Sequence, residues 1–185
     1  MRRMARWTTS AGLVACLVLA VSTSASAAGK DRYTGLIVSG GTPTQLIMSI
    51  KGWTTEAEAK SLKATLESGG PDAAQKALEK LDLGYISLVG SLGWPINAAR
   101  SYPMANGGQQ IVLLTNRPIG FVEGMAQGAS LNYPFGIISL EVDAKGEGRG
   151  SIIGRARITI DDKGVIHIDP YAGYSYEITR VRHES

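Results

Sequence analysis

The stretch GIISLEVDAKGEGRGSIIGRARITIDDKGVIHI, residues 136–168, decides the fold class of this chain. Three segments in it show the alternation of apolar and polar residues that is typical of β-strands: 136–142, 150–160 and 165–168. The glycine-bearing clusters at 144–148 and 161–164 separate them, and Gly tolerates the positive φ that tight turns require. Because strands joined by tight turns pair antiparallel, the stretch predicts a β-meander.

The same alternation continues on both sides of this stretch. Residues 31–52 predict two strands separated by the turn Gly40-Gly41-Thr42-Pro43. Further strands are predicted at 85–89, 96–102, 109–115 and 174–181. These short elements follow one another along the chain, so they extend the antiparallel meander over most of its length.

Residues 55–84 have the helical period instead. Thr55 followed by Glu58 is a capping box, and a glycine pair ends the first predicted helix. Pro71 suits the first turn of a second helix. We therefore predict an α+β fold, a mostly antiparallel β-meander with one helical hairpin inserted near the N-terminus. The sheet is expected to be either curved around the helices or a partly closed barrel.

Residues 1–28 have the pattern of an export signal. A leader with three arginines precedes an apolar run at 13–21, and Ala25-Ser26-Ala27 is a small-residue cleavage pattern. The run is about half of the roughly 20 residues that cross a bilayer, so we expect no stable membrane insertion after cleavage. We predict a cleaved signal peptide at 1–28, a single α+β domain at 29–185, and a periplasmic or secreted protein.

A second interpretation of the leader involves its cysteine. Leu13-Val14-Ala15-Cys16 fits the bacterial lipobox, in which the cysteine is acylated and becomes the first mature residue. A lipobox normally closes the apolar run, whereas here the more hydrophobic residues follow it. Lipoprotein anchoring through Cys16 is therefore the alternative to a soluble exported product.

Charge and composition exclude several classes of function. The net charge of +3 comes from Arg2, Arg3 and Arg6, because the other 16 Lys and Arg residues equal the 16 Asp and Glu residues. Without a basic stripe we expect no nucleic-acid partner. The chain has a single Cys, at position 16, and two His, which excludes a disulfide and the usual zinc sites. Carboxylate-bound calcium or magnesium is the metal alternative that this composition leaves open, and we predict neither a metal nor a cofactor.

The segment after the strand at 109–115 is the first candidate site. The strand runs directly into Asn116-Arg117-Pro118, and Glu123 follows six residues after the arginine. Arg117 could bind a carboxylate or a phosphate with its planar fork, and Glu123 could act as an acid or a base. The alternative is an ion pair between the two that holds the loop in place.

The loop at 124–134 is long for a meander connection, and long loops are often binding loops. It holds Tyr133, and Arg100 near the end of a strand could line the same region. The alternative is a surface loop docked by its Met and Tyr side chains. Glu141, at the end of its strand, completes the predicted ligand-binding set of Arg117, Glu123, Tyr133, Arg100 and Glu141.

Two further features have simpler interpretations. Glu141, Asp143 and Glu147 resemble a calcium loop, but Lys145 inside it favours a solvated hairpin tip. His167 alternates with Ile166 and Ile168, which places it on the opposite face, and no Gly-x-Ser-x-Gly nucleophile motif accompanies it. An exposed, non-catalytic histidine is therefore expected.

A resemblance extends over most of the chain. The segments GWPINAAR (93–100), LTNRPIGFVE (114–123) and YPFGIISLE (133–141), with the Gly-rich turn that follows, resemble a group of small exported bacterial proteins of unknown function. The resemblance implies export and a single domain, and it implies no activity.

Three functions follow from these observations. The first is an exported, non-enzymatic module that binds a small ligand or an envelope protein near residues 117–133. The second is a hydrolase that uses carboxylates such as Glu123 and Glu141 with Arg117 holding the substrate, and the third is a structural envelope protein. An enzyme predicts a convergent cluster of titratable groups, whereas a binding module predicts a cleft or an exposed patch without one.

Overall fold

The computed structural model describes residues 31–39, 41–120, 132–161, 163–171 and 175–184. These residues form ten strands and one helical element. In chain order they are β1 (Asp31–Ser39), β2 (Thr42–Ile50), α1 (Glu56–Leu78), β3 (Gly84–Leu88), β4 (Trp94–Pro95), β5 (Ala98–Pro103), β6 (Gln109–Thr115), β7 (Phe135–Val142), β8 (Glu147–Ile160), β9 (Ile166–Pro170) and β10 (Tyr176–Glu184).

The strands form one antiparallel sheet in the order β4-β3-β2-β1-β10-β8-β7-β6-β5, and β9 pairs with the second half of β8. The first and last strands lie side by side in the middle, with Arg32 opposite Glu184. Residues 94–103 supply both ends of the sheet, because β4 pairs with β3 and β5 pairs with β6. The sheet is therefore curled into a half-barrel, and the predicted mostly antiparallel α+β fold is confirmed.

The two faces of the sheet carry two separate cores. The larger core contains residues from most strands of the curled sheet: Tyr33, Ile37, Leu46, Met48, Ile50, Ile86, Ile96, Ala99, Ile111, Leu113, Ile119, Ile138, Leu140, Val142, Ile152, Ile178 and Val181. The smaller core lies between α1 and strands β5 to β8 and is centred on Ala74, Leu78, Phe135, Ile137 and Ala156. Alternation along β6 and β7 sends successive side chains to opposite cores, so these strands are apolar on both faces.

The helical hairpin is not confirmed, because the structure has one helical element rather than two. The predicted capping box is present, with the Glu58 amide donating to Thr55 Oγ1 at 3.2 Å and the Thr55 amide donating to the Glu58 carboxylate at 2.7 Å. Within the element Gly70 leaves the helical region, with φ 69° and ψ −169°. Pro71 follows directly. Helical hydrogen bonding begins again here, and at the first position of a helix the N–H that proline lacks would have no partner within the helix.

The predicted strands are confirmed with shifted ends. β8 begins at Glu147 rather than at Gly150, so Gly148 lies inside the strand and not in the turn. A Cβ at Gly148 would collide with the backbone carbonyl of Glu141 on the neighbouring strand. The glycine run therefore permits close strand pairing as well as the turn. Sequence composition alone does not distinguish these two roles of a glycine.

Candidate functional site

An open cleft of about 540 Å³ lies where the β3–β4 turn meets the segment that follows β6. Its volume is within the range of small-molecule binding sites. The cleft is lined by Ser91, Leu92, Gly93, Trp94, Arg117, Pro118 and Gly120.

The β3–β4 turn forms one wall, and its shape is set by two residues. Gly90 has a φ of 83°, a conformation in which a side chain would be strained. The Ser91 hydroxyl accepts from the Leu88 amide at 3.2 Å and lies 3.0 Å from the Leu88 carbonyl, to which it donates. These contacts close the turn and leave Leu92 at its outer side, where it is 92% exposed.

The segment 116–120 forms the other wall and is fixed at both ends. The buried Thr115 hydroxyl accepts from the Gly136 amide at 3.0 Å and donates to the Arg117 carbonyl. The Ile119 side chain is fully buried, and its amide donates to the Gly154 carbonyl at 2.9 Å. Arg117 lies between these two anchors, so its backbone position is determined by the fold.

Among the described residues that line this cleft, Arg117 is the charged one. Its side chain is exposed, and Nη2 lies 3.5 Å from the Gly93 carbonyl on the opposite wall. Among the described residues, no carboxylate lies within ion-pair distance of this guanidinium. Its donors are therefore not used by another described side chain, and they face a site that a carboxylate or phosphate could occupy.

The rim of the cleft is apolar. Leu92, which lines the cleft, is 92% exposed, and the half-buried Trp94 is also part of the lining. Exposed apolar side chains are ordinary when they are scattered singly. Here they adjoin a cation in a concave surface, which is the combination of apolar wall and few polar groups that ligand sites use.

The predicted loop residues are only partly covered by the structure. Glu123 lies outside the described residues, as does most of the loop at 124–134. The Tyr133 hydroxyl donates to Asp169 Oδ2 at 3.2 Å, and its ring meets Tyr171 edge to face with centroids 5.2 Å apart. The hydrogen bond to Asp169 raises the pKa of Tyr133. Tyr133 therefore contacts β9, and it is not among the residues that line the cleft.

Arg100 is not part of the cleft. Its Nη2 lies 2.8 Å from the Glu56 carboxylate in the first turn of α1, and its guanidinium lies 5.6 Å from the centre of the Tyr102 ring. The hydrogen bond between Arg100 and Glu56 raises the pKa of the arginine and lowers that of the carboxylate. Arg100 thus connects β5 to the start of the helix.

Glu141 lies at the other end of the sheet from the cleft. On β7 it is five residues from Gly136, which faces Thr115, and at about 3.4 Å per residue that is roughly 17 Å. Its carboxylate lies 3.6 Å from Nε of Arg149. The structure therefore does not bring Glu141 and Arg117 together.

The acidic turn that resembled a calcium loop is occupied by its own backbone. Asp143 Oδ1 accepts from the Lys145 amide at 2.8 Å and the Glu147 amide at 3.0 Å, and these bonds lower the pKa of Asp143. Asp161 makes the same pair of bonds in the β8–β9 turn. Within the described ranges, no three His, Cys, Asp or Glu side chains are grouped to hold a metal ion.

Sequence reasoning missed a polar cluster formed by the two ends of the domain. Asp31 accepts from Trp53 Nε1 at 3.0 Å and lies 3.1 Å from His183 Nε2, and the His183 ring stacks on Tyr33 with centroids 4.6 Å apart. Burial, aided by the Asp31 charge, raises the pKa of Tyr33 to about 12. Asp31 and His183 are 152 residues apart, so no local pattern signals their contact.

Comparison with known proteins adds no functional information. No protein family, curated protein or solved structure was found to match this chain. In the part of the chain that the structure describes, no helix has the length and apolar character needed to span a membrane. Function is therefore argued from the geometry of the cleft.

Proposed function

We propose that this protein is an exported, non-enzymatic module of the bacterial envelope that binds a carboxylate- or phosphate-bearing ligand, free or part of a protein partner, at the Arg117 cleft. The observation that carries the proposal is the exposed Arg117 guanidinium between an apolar turn and a fixed backbone segment. An arginine fork gives orientation to a planar anion, and Leu92 and Trp94 supply apolar contact for the rest of the ligand.

Binding is favoured over hydrolysis by the positions of the carboxylates. A carboxylate-dependent hydrolase needs at least two titratable groups that converge on the substrate beside Arg117. Glu141 lies about 17 Å along β7 from Gly136, which is at the end of the strand nearest the cleft. Its carboxylate pairs with Arg149. Within the described ranges, the lining of the cleft contains no Asp, Glu or His.

The export part of the proposal depends on residues 1–28, with their arginines, apolar run and small-residue cleavage pattern. The first strand begins at Asp31, three residues after this segment, so cleavage after Ala27 or Ala28 would leave the sheet intact. Mass spectrometry of the exported protein should find Ala28 or Gly29 at the N-terminus. An acylated Cys16 at the N-terminus would contradict cleavage after Ala27 or Ala28 and would support the lipoprotein interpretation.

The binding site is tested by thermal unfolding against panels of fatty acids, amino acids and peptidoglycan fragments, with neutral sugars and divalent cations as comparators. A ligand at about 100 times its Kd stabilises the folded protein by roughly 2.7 kcal/mol. For a domain of this size, that raises Tm by about 5–10 °C. We expect anionic compounds with an apolar portion to produce the shift.

Variants show whether a ligand that raises Tm binds at the Arg117 cleft. Arg117→Ala should abolish it while leaving the unliganded Tm within about 1 °C, since exposed side chains contribute little to stability. Arg149→Ala is the matched control, because Arg149 is an exposed arginine on β8 that lies outside the cleft. If no compound shifts the wild type, or if Arg117→Ala retains the full shift, the cleft is not the ligand site and a structural envelope role becomes the better interpretation.

A further inference from the structure

The strand β9 has one unpaired edge within the described part of the chain. It pairs with β8 on one side, and no described strand lies along its other side. Its isoleucines, Ile166 and Ile168, are 53% and 47% exposed, and Val165, directly before the strand, is 50% exposed. An exposed edge with apolar side chains is a template for pairing with another strand.

The hydrogen-bond pattern of the hairpin determines which backbone groups face this edge. The Asp161 amide donates to the Val165 carbonyl at 3.0 Å, which makes the next pair, Ile160 with Ile166, a non-hydrogen-bonded pair. Pairs alternate along an antiparallel ladder, and therefore His167 and Asp169 use their backbone groups toward β8. The N–H and C=O groups of Ile166 and Ile168 point outward, away from β8.

The sequence of β9 is complementary to itself when two copies run antiparallel. If Ile168 of each copy faces Ile168 of the other, His167 faces Asp169 of the second copy and Ile166 faces Pro170. The isoleucines then share one face of the pair, and the imidazole and carboxylate groups share the other. Pro170 lacks an N–H, but its carbonyl still accepts from Ile166 of the other copy.

The side chains of His167 and Asp169 are available for such contacts. His167 is exposed and meets Asp161 through Nε2 at 3.0 Å, and Asp169 accepts from Tyr133 through Oδ2 at 3.2 Å. These bonds use one polar atom of each side chain and hold both beside the edge. The remaining imidazole nitrogen and carboxylate oxygen are the atoms that a second copy would meet.

We propose that β9 is a self-association edge, at which two copies of this chain pair antiparallel about Ile168 and join their sheets. The proposal is independent of the Arg117 cleft, because β9 pairs with β8 and contributes no residue to the cleft. The pairing uses four outward backbone hydrogen bonds, an apolar face of four isoleucines and two His–Asp contacts.

The register is tested by disulfide trapping in the full chain with Cys16→Ser, so that the introduced cysteine is the only thiol. In the proposed register the two Ile168 Cα atoms are about 5.5 Å apart, within the range of a disulfide. Ile168→Cys should therefore form a covalent dimer with oxidised glutathione. Ile166→Cys is the matched control, since its Cα atoms would be about 14 Å apart at similar exposure.

Association without cross-linking is tested by sedimentation equilibrium over a range of protein concentrations. The weight-average mass of the wild type should rise toward twice the monomer mass as concentration increases. Ile168→Lys places a charge on the paired edge and should return the mass to that of a monomer, whereas Val165→Lys, outside the five paired residues, should not. Circular dichroism of both variants verifies that the sheet is intact.

Three results would overturn the proposal. They are a wild type that stays monomeric at every concentration, an Ile166→Cys variant that cross-links as fast as the Ile168→Cys variant, and an Ile168→Lys variant that is folded and still dimeric. The first result would mean that the unpaired edge of β9 serves a strand of a different protein, or another strand of this chain, and not a second copy. The other two would show association in another register or at another surface.

Discussion

Asn97 connects the helix, the sheet edge and the cleft through one buried side chain. It is 2% exposed, and its Nδ2 donates to the carbonyls of Leu78 and Leu81 at 3.0 and 2.8 Å. Its Oδ1 accepts from the Asn116 amide at 2.9 Å, next to Arg117. The end of α1 and the start of the cleft segment are therefore held by the same amide group.

Replacing this side chain should be costly. Asn97→Ala leaves the Asn116 amide and two carbonyls without their partner, and we expect a loss of roughly 2–4 kcal/mol in the free energy of unfolding. Asn106→Ala is the control, because Asn106 is an exposed turn residue with a single bond to the Gly108 amide. Urea unfolding of both variants measures the difference, and equal losses would contradict the assigned role of Asn97.

Tyr33 predicts the behaviour of the protein in alkali. Its pKa is raised to about 12, mainly by burial, whereas in the unfolded chain it ionises near 10. The folded state therefore keeps a proton that the unfolded state releases, and stability that is complete below pH 10 is lost as pH rises toward 12. The loss from this group amounts to roughly 2–3 kcal/mol.

The measurement is denaturant unfolding at several pH values between 9 and 12. Wild type should lose more stability over this interval than Tyr33→Phe, whose ring fills the same space without the hydroxyl. Tyr102→Phe serves as the comparison, since Tyr102 is 44% exposed. Parallel curves for wild type and Tyr33→Phe would show that the buried phenol does not contribute to alkaline unfolding.

At the scale of elements, local sequence chemistry predicts the helix start and every described strand except the two-residue β4. Both tight turns of the C-terminal half have the sequence Asp-x-Lys-Gly, at 143–146 and 161–164, and in each the Asp side chain accepts two backbone amides. Such signals depend on residues that are four positions apart or fewer, so they can be identified without the fold.

The parts that could not be predicted depend on distant pairing. The β1–β10 contact, the Asp31–His183 pair and the Arg100–Glu56 ion pair join residues that are 44 to 152 positions apart. The sequence points to Arg117 because it follows a buried strand, but no local pattern connects it with residues 91–94, which line the same cleft. Arg100 and Glu141 were grouped with it only because they are charged and lie near strand ends.

The capping box of α1 gives an acid-sensitive contribution to stability. Hydrogen bonds from the backbone and the hydroxyl of Thr55 lower the pKa of Glu58, so the ionised box stabilises the helix at neutral pH. This stabilisation is present above the unfolded pKa of Glu and is lost as pH falls through the lowered folded value. Thr55→Ala should cost about 1 kcal/mol at pH 7.

The prediction is checked by thermal unfolding at pH 7 and pH 3. The Tm difference between wild type and Thr55→Ala should be about 2–4 °C at pH 7 and smaller at pH 3. Thr44→Ala is the control, because Thr44 lies on β2, outside any helix. A difference that is unchanged at pH 3 would mean that the charge of Glu58 does not contribute to the cap.

For the whole molecule, the central pairing of β1 with β10 joins strands that are far apart in the chain. Contacts between distant residues are expensive in chain entropy, and proteins dominated by them fold slowly. The two strands lie side by side, with Arg32 opposite Glu184, so a short linker could join residue 184 to residue 31. Gly107 offers an opening, because it lies in an exposed turn with φ 79° and no atom near its Cβ position.

A circular permutant that starts after Gly107 and links residue 184 to residue 31 should keep the native fold. It should also refold faster than the native chain, because the β1–β10 pairing becomes a local hairpin. Stopped-flow refolding by tryptophan fluorescence measures the rates, and circular dichroism verifies the fold. A permutant that is folded but refolds more slowly would place the rate-limiting step elsewhere in the sheet.

The same central pairing has a consequence for passage across a membrane. If the chain is exported N-terminus first, as we propose, β1 crosses early and its neighbour β10 crosses last. Until residues 176–184 have crossed, β10 is missing from the middle of the sheet. The strands β1 to β4 on one side and β5 to β9 on the other cannot pair through it. Translocation and folding would then be completed together. The chain would stay incompletely folded, and able to pass through a translocation channel, until it is released.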